Sequence, residues 1–341
     1  LTPLRRRDID WIAPHPTGIE IKGANAWIDP SEPREIAIVT HGHADHARGG
    51  HGLVYATPQT LAIMTARYGP SPARPLPHGE EALLGDVRLS LHPAGHVLGS
   101  AQARLERAGE TVVVTGDFKR APDPTCLPFE PVACDVLVTE ATFGLPVFRH
   151  PPPRGEIDKA LARLAESPGR CLLIGAYALG KAQRVIAELR RAGHDAPIFL
   201  HGALERMCAL YVAEGVDLGE LRPATGARRE EMIGHVALAP PSALKDRWTR
   251  RLPDPILAMA SGWLQVRQRV RQRNIDLPLV ISDHADWREL TETILEVAPA
   301  EVWITHGGEA ALAHWCMSRQ IAARALSLVG RDGGEEGGDD G

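Results

Sequence analysis

The stretch Thr40-His41-Gly42-His43-Ala44-Asp45-His46 constrains this chain more than any other. Four potential metal ligands fall within six residues, in the spacing H-x-H-x-D-H. The apolar run Ile36-Ala37-Ile38-Val39 leads straight into it and reads as a buried strand. A strand that ends this way puts its ligands on a short, rigidly anchored loop. One metal does not easily use all four groups at that density. Two metals sharing a site do, and two-metal sites hydrolyse phosphoryl or acyl groups.

Further ligands recur in one context: apolar strand, turn residue, ligand. His96 follows a strand in Pro93-Ala94-Gly95-His96, Asp117 follows the run 111–115, and His306 follows Trp303-Ile304-Thr305. Fifteen histidines scattered by chance would not share that habit. A coordination scheme follows. His41, His43, His96 and Asp117 make one site; Asp45, His46, His306 and the other oxygen of Asp117 make the second. A carboxylate has two oxygens and bridges two cations well. The His/Asp set with no Cys suits two divalent ions, zinc first and manganese as the alternative. Asp29 ends a strand in Trp27-Ile28-Asp29-Pro30. It is either an acceptor for a ligand imidazole or a turn-capping carboxylate.

The rest of the chain is read for organisation. Its 341 residues, 44% hydrophobic, suffice for one large domain or two ordinary ones. The net charge of −5 advertises no overall basic field. Five acids in the Gly-rich segment 332–341 account for it, and that segment reads as a solvated, disordered tail. A balanced total leaves room for a local basic groove. Cys126, Cys134, Cys171, Cys208 and Cys316 show no C-x-x-C spacing and read as reduced core residues of a cytoplasmic protein. No signal peptide or membrane span is read, and Leu1 in place of Met implies a lost first residue or a late numbering start. Short strands are expected at 26–29, 35–40, 53–56, 87–92, 101–106, 111–115 and 135–139, with a helix over 57–67. From about residue 154 helices and strands alternate: helices at 156–166, 181–191, 204–214, 289–297 and 309–322, and strands at 171–175, 197–200, 256–260, 279–282 and 301–305. The Pro-rich stretch at 150–153 marks a junction. This rhythm suggests an α+β sheet sandwich covered by helices, with a smaller domain inserted.

These residues resemble the metallo-β-lactamase fold superfamily and, within it, the β-CASP nucleases. Asp29, the 41–46 cluster, His96 and Asp117 match the motifs of the superfamily. Glu140 in Thr139-Glu140-Ala141-Thr142-Phe143-Gly144 matches the acidic motif that opens the β-CASP insert. His284 in Ser282-Asp283-His284-Ala285-Asp286 matches its second motif, and His306 its third. Thr142-Phe143-Gly144-Leu145-Pro146-Val147-Phe148, Ser282–Trp287 and His314-Trp315-Cys316 are similar to the bacterial ligase-associated DNA exonucleases. The resemblance implies a metallo-β-lactamase αββα sandwich in two parts, 1–150 and 276–331, with an α/β β-CASP insert at 151–275 and the tail at 332–341. It also implies a nucleic-acid substrate, DNA first, and work beside a DNA ligase and a helicase in repair. His306 points the other way, because a His at the third motif is more usual in RNA-cleaving members. An RNA-cleaving ribonuclease therefore stays open as the alternative.

The expected reaction is hydrolysis of a phosphodiester. His284 is the candidate proton donor to the leaving oxygen. Glu140 holds the ring, and its negative charge favours the protonated form. Phosphate contacts are expected from Gly180 and Lys181 at a helix start and from the turn Ser261-Gly262. Lys119 and Arg120 are expected to reach the same nucleic-acid strand, whereas Arg267, Arg269, Arg271 and Arg273 read as a solvated helix face. Three other classes fit the sequence less well. A small-molecule hydrolase of this fold would lack the insert with Glu140 and His284. A di-iron oxidoreductase would carry an acid at His43, and a non-catalytic nucleic-acid-binding relative would have lost ligands. Neither departure is present.

Overall fold

The computed structural model describes residues 9–273 and 275–326. The acidic tail expected at 332–341 and the opening residues lie outside that range. Two compact units account for the chain: one within Leu1–Arg149 and His284–Gly334, the other within His150–Asp283.

The first unit carries two sheets, and residue alternation explains why they stack. One six-stranded sheet has the order Ile12–His15, Gly18–Ile21, Ala26–Ile28, Ile36–Ile38, Leu53–Ala56, Ala73–Pro75. The seven-stranded sheet has the order Ala322–Ala325, Glu301–Gly307, Val136–Ala141, Glu110–Val114, Ala101–Arg107, Val87–Pro93, Glu81–Leu84. Successive side chains of a strand face opposite sides. Ile38 of the first sheet and Val112, Val114, Val136, Val138 and Trp303 of the second accordingly share one core between the sheets. The alternate residues face outward and are covered by helices. Ala37, Val39 and Val54 pack with Met64 of helix Pro58–Tyr68. Val113, Leu137, Val302 and Ile304 pack with Leu290 and Ile294 of helix Trp287–Val297 and with Leu312 and Cys316 of helix Glu309–Ser318. The result is an αββα sandwich of mixed α and β content. Helix Pro58–Tyr68 starts as the sequence predicts: Thr57 is the N-cap, its hydroxyl accepts the Thr60 N–H, and proline opens the first turn.

The second unit is a parallel sheet in the order Leu221–Pro223, Ile198–Leu200, Val236–Ala239, Leu172–Gly175, Ile256–Ala260, Leu277–Leu279. Helices Pro153–Ala165, Lys181–Arg191 and Gly202–Ala213 belong to it. The boundary expected at 275 falls inside this unit, because Leu277–Leu279 pairs with Ile256–Ala260, and the unit runs on to Asp283. The helix expected over 309–322 stops at Ser318. Gln320 takes a left-handed conformation (φ 62°), and Ala322–Ala325 then adds a parallel edge strand to Glu301–Gly307. All five cysteines are free thiols; Cys171, Cys208 and Cys316 are buried, whereas Cys126 and Cys134 are only half-buried. No helix among the described residues is long and apolar enough to cross a membrane.

Candidate metal centre

Every residue of the expected ligand set falls in the first unit, at the end of a strand or on the loop that follows one. His41, His43, Asp45 and His46 follow Ile36–Ile38; His96 follows Val87–Pro93; Asp117 follows Glu110–Val114; His306 lies near the end of Glu301–Gly307. One potential ligand atom from each of His41, His43, His96 and Asp117 lies within 4.8 Å of the others. The ring nitrogens His96 Nε2 and His43 Nδ1 are 3.0 Å apart, and His41 Nε2 is 3.4 Å from Asp117 Oδ2. Around the second expected position, His46 Nε2 is 3.6 Å from Asp45 Oδ2 and 3.5 Å from Asp117 Oδ2. The His306 ring lies 5.5 Å from that of His46, centroid to centroid. Asp117 thus faces both groups.

The cluster is held from behind by Asp29 and Thr40. Asp29 is buried; its Oδ1 accepts the Thr40 N–H at 2.7 Å, and its Oδ2 accepts the Thr40 hydroxyl at 2.7 Å and pairs with His46 Nδ1 at 2.8 Å. The Thr40 hydroxyl also meets His41 Nδ1 at 3.1 Å. One carboxylate therefore orients His46 directly and His41 through Thr40, and each Nε2 is left to face the cluster. Sequence reasoning passed over Thr40, although it stands first in the motif. It also passed over Ser100, whose hydroxyl accepts the N–H groups of His96 and Val97 at 3.1 and 3.2 Å. Gly116 lets the Asp117 loop approach. Its φ is +56°, and a Cβ there would stand 2.7 Å from the Thr40 hydroxyl oxygen.

The electrostatics fit cations. His41 Nε2 and His46 Nε2 are buried with no hydrogen-bond partner among the described residues. Burial holds the His41 pKa well below its ordinary value, and the neighbouring imidazoles of His46, His96, His43 and His284 add to this. Burial also works to lower His46, but Asp117, Asp45 and Asp29 outweigh it and hold that ring up at about 9. Burial pushes Asp117 up to about 6, against the pull of His46 and His284. The imidazole nitrogens and clustered carboxylates, without sulfur, form a donor set that could hold a metal, with His46 giving up its proton to bind.

Glu140 and His284 adjoin this cluster. Glu140 ends strand Val136–Ala141, and its Oε1 accepts the Phe118 N–H at 2.8 Å. Its Oε2 lies 2.9 Å from His284 Nδ1, which is 4.0 Å from Asp117 Oδ2. The Ala285 N–H bonds to the Phe118 carbonyl at 2.6 Å, tying the His284 loop to the residue that follows Asp117. Asp117, Glu140 and His284 also offer atoms within 4.8 Å of one another.

The expected phosphate contacts belong to the second unit. Gly180 caps helix Lys181–Arg191, but the Lys181 side chain is buried, with Nζ 3.1 Å from Asp283 Oδ2 and donating to the Ile281 carbonyl at 3.0 Å. Ser261 and Gly262 are buried too, and the Ser261 hydroxyl accepts the Trp263 N–H at 3.3 Å. Lys119 and Arg120, expected to reach substrate, pair with Asp123 and Glu296.

Residues 32–175 match the profile of the metallo-beta-lactamase superfamily. The chain is 29% identical over 326 residues to a protein named probable DNA ligase from Opitutus terrae, matching 93% of this chain and 31% of that protein. It is 31% identical over 216 residues to a ribonuclease of Thermus thermophilus, covering 53% of this chain and 50% of that one. It is 34% identical over 140 residues to cleavage and polyadenylation specificity factor 73 of Drosophila melanogaster, covering 38% and 20%. The chain thus spans between a fifth and a half of these relatives' lengths. A solved protein of unknown function from Enterococcus faecalis V583 shares the fold, with a TM-score of 0.53 at 13% identity, over 85% of this chain and 79% of that one. Profile match, stacked sheets and strand-end ligands agree: this chain carries a metallo-beta-lactamase domain.

Proposed function

We propose that this protein is a two-metal-dependent nuclease that hydrolyses nucleic-acid phosphodiesters, and specifically a DNA exonuclease of the ligase-associated kind. The observation that carries the reading is the Glu140–His284 pair set against Asp117, the residue both ligand groups share. His41, His43, His96 and Asp117 would hold one cation, and Asp45, His46, His306 and Asp117 the other. Two divalent ions there supply Lewis-acid polarisation of a phosphodiester and activation of water for its hydrolysis.

The chain's own residues do the remaining work. Phe118 N–H fixes the Glu140 carboxylate, and Glu140 fixes His284 through Nδ1. His284, so held, is the group to deliver a proton to the leaving oxygen, the step a general acid accelerates by about 10²–10⁴-fold. Asp29 and Thr40 keep His46 and His41 in the orientation that ligation needs. The extended match to the relative named probable DNA ligase supports DNA and work beside a ligase. The ribonuclease relative and His306 support RNA as the second reading. Five free thiols accord with a cytoplasmic setting.

The test is incubation of zinc- or manganese-loaded protein with end-labelled single- and double-stranded DNA and RNA. Mononucleotide release from labelled DNA supports the exonuclease reading. Cleavage of RNA alone replaces it with the second reading, and no cleavage of any of the four substrates refutes both.

A further inference from the structure

The second unit contains a cavity of about 250 Å³ whose lining includes Tyr177, Ser242, Leu244, Lys245, Met259 and Arg273. Its walls come from the carboxyl ends of three neighbouring parallel strands. Tyr177 follows Leu172–Gly175, Ser242 and Lys245 follow Val236–Ala239, and Met259 lies near the end of Ile256–Ala260. Leu172–Gly175 is the first strand of the unit, yet it sits inside the sheet. The chain leaves it toward Ile198–Leu200 on one side and later fills the other side with Ile256–Ala260 and Leu277–Leu279. Such a reversal of strand order is where open parallel sheets leave a crevice for a ligand. Gly175 lets the wall come close, since a Cβ there would stand 2.6 Å from Leu244 Cδ1.

Two cationic side chains line this crevice, and they stand in a basic stretch of the sequence. Residues 241–273 hold eight Lys and Arg against two acids, Asp246 and Asp254, in a chain of net charge −5. Lys245 and Arg273 line the cavity, and Arg273 Nη1 lies 3.7 Å from Met259 Sδ. Of the acids adjacent in sequence, Asp246 Oδ1 accepts the Arg247 N–H at 2.6 Å, and Asp276 Oδ2 accepts the Leu257 N–H at 2.9 Å. Ser242 and Tyr177 bring hydroxyls, while Leu244 and Met259 bring apolar wall. Two cations and hydroxyls beside an apolar surface suit a phosphate attached to a ring.

We propose that this cavity binds one nucleotide, with its phosphate on Lys245 and Arg273 and its base or sugar against Leu244 and Met259. The ligand's class rests on the nuclease reading; the cavity's preference for an anion does not. The nucleotide is either a free mononucleotide or the phosphorylated end of a strand. The test is calorimetric titration of the full, metal-free protein with 2′-deoxyadenosine 5′-monophosphate, with deoxyadenosine, and with two oligodeoxynucleotides that differ only in a terminal phosphate. The monophosphate is expected to bind saturably, and deoxyadenosine at least tenfold more weakly. The double variant Lys245→Gln/Arg273→Gln should lose at least tenfold for the monophosphate while keeping its metal content. Tighter binding of the phosphorylated oligonucleotide assigns the cavity to strand ends, and equal binding of the two assigns it to free nucleotide. Absent binding of the monophosphate, or equal binding by the double variant, overturns the proposal. Cleavage assays on the metal-loaded parent protein separate the two readings: a parent that cleaves but binds no monophosphate removes only the cavity, and a parent that binds the monophosphate but cleaves nothing removes only the nuclease.

Discussion

Replacing Asp29 with alanine tests how the metal cluster is built. The carboxylate accepts three buried hydrogen bonds, from Thr40 N–H, the Thr40 hydroxyl and His46 Nδ1, at 2.7, 2.7 and 2.8 Å. Removing an acceptor from a buried donor costs about 1–3 kcal/mol per group. Asp29 also has a φ of 44°, a left-handed conformation that costs alanine about 1–2 kcal/mol more. Asp29→Ala should therefore destabilise the metal-free protein by about 4–7 kcal/mol, allowing for relaxation around the site. Metal affinity should fall by about 10–100-fold, because His46 and, through Thr40, His41 lose their orientation. Asp29→Asn tolerates the same φ and keeps one acceptor oxygen, so its loss of stability should be roughly half as large. Denaturant unfolding of the metal-free protein gives the first quantity, and competition with a chromogenic chelator gives the second. If Asp29→Ala unfolds at the wild-type denaturant concentration and competes equally for zinc, Asp29 does not organise this site.

Other outcomes follow from the same geometry. Asp117→Ala should lose both metals rather than one, read as metal per chain by elemental analysis, since Asp117 faces both ligand groups; one retained equivalent would show that it does not bridge. Gly116→Ala should destabilise by about 2–4 kcal/mol in denaturant unfolding, from the left-handed φ and the contact with Thr40, and a neutral result would contradict the close approach. Burial pushes Cys134 and Cys171 up to about 12 and Cys208 and Cys316 up to about 11. At pH 8 these four are thiols, not thiolates, so a disulfide reagent should modify them only slowly in the folded protein, faster as pH rises toward those values, and promptly after unfolding.

Much of the sandwich was legible because its strands follow one simple rule. Ile36-Ala37-Ile38-Val39 and Val112-Val113-Val114 are apolar on both faces, as strands buried between a second sheet and a helix must be. The edges were not legible. Ala73–Pro75 and Leu221–Pro223 are short and contain proline, and Ala322–Ala325 has no β-branched residue, so pairing with a neighbouring strand, not intrinsic preference, makes them strands. The grouping of His41, His43, His96 and Asp117 could be read because the first two are close in sequence and all four share the strand-end context. The surroundings of Lys181 were hidden for the opposite reason. A Gly-Lys helix start looks like a phosphate cradle, but its partner Asp283 lies far along the chain and nothing local announces it. The Thr40 hydroxyl was in plain view within the motif, yet its role emerges only when Asp29, His41 and Gly116 are brought around it.

The most direct measurement is metal content and DNA hydrolysis by His284→Ala, side by side with the parent protein. Metal ligation and proton delivery are separate jobs in this account, held by separate residues. The variant should keep two metals per chain and release labelled nucleotides about 10²–10⁴-fold more slowly. Hydrolysis at the parent rate with both metals in place would contradict the account, as would loss of the metals together with the activity.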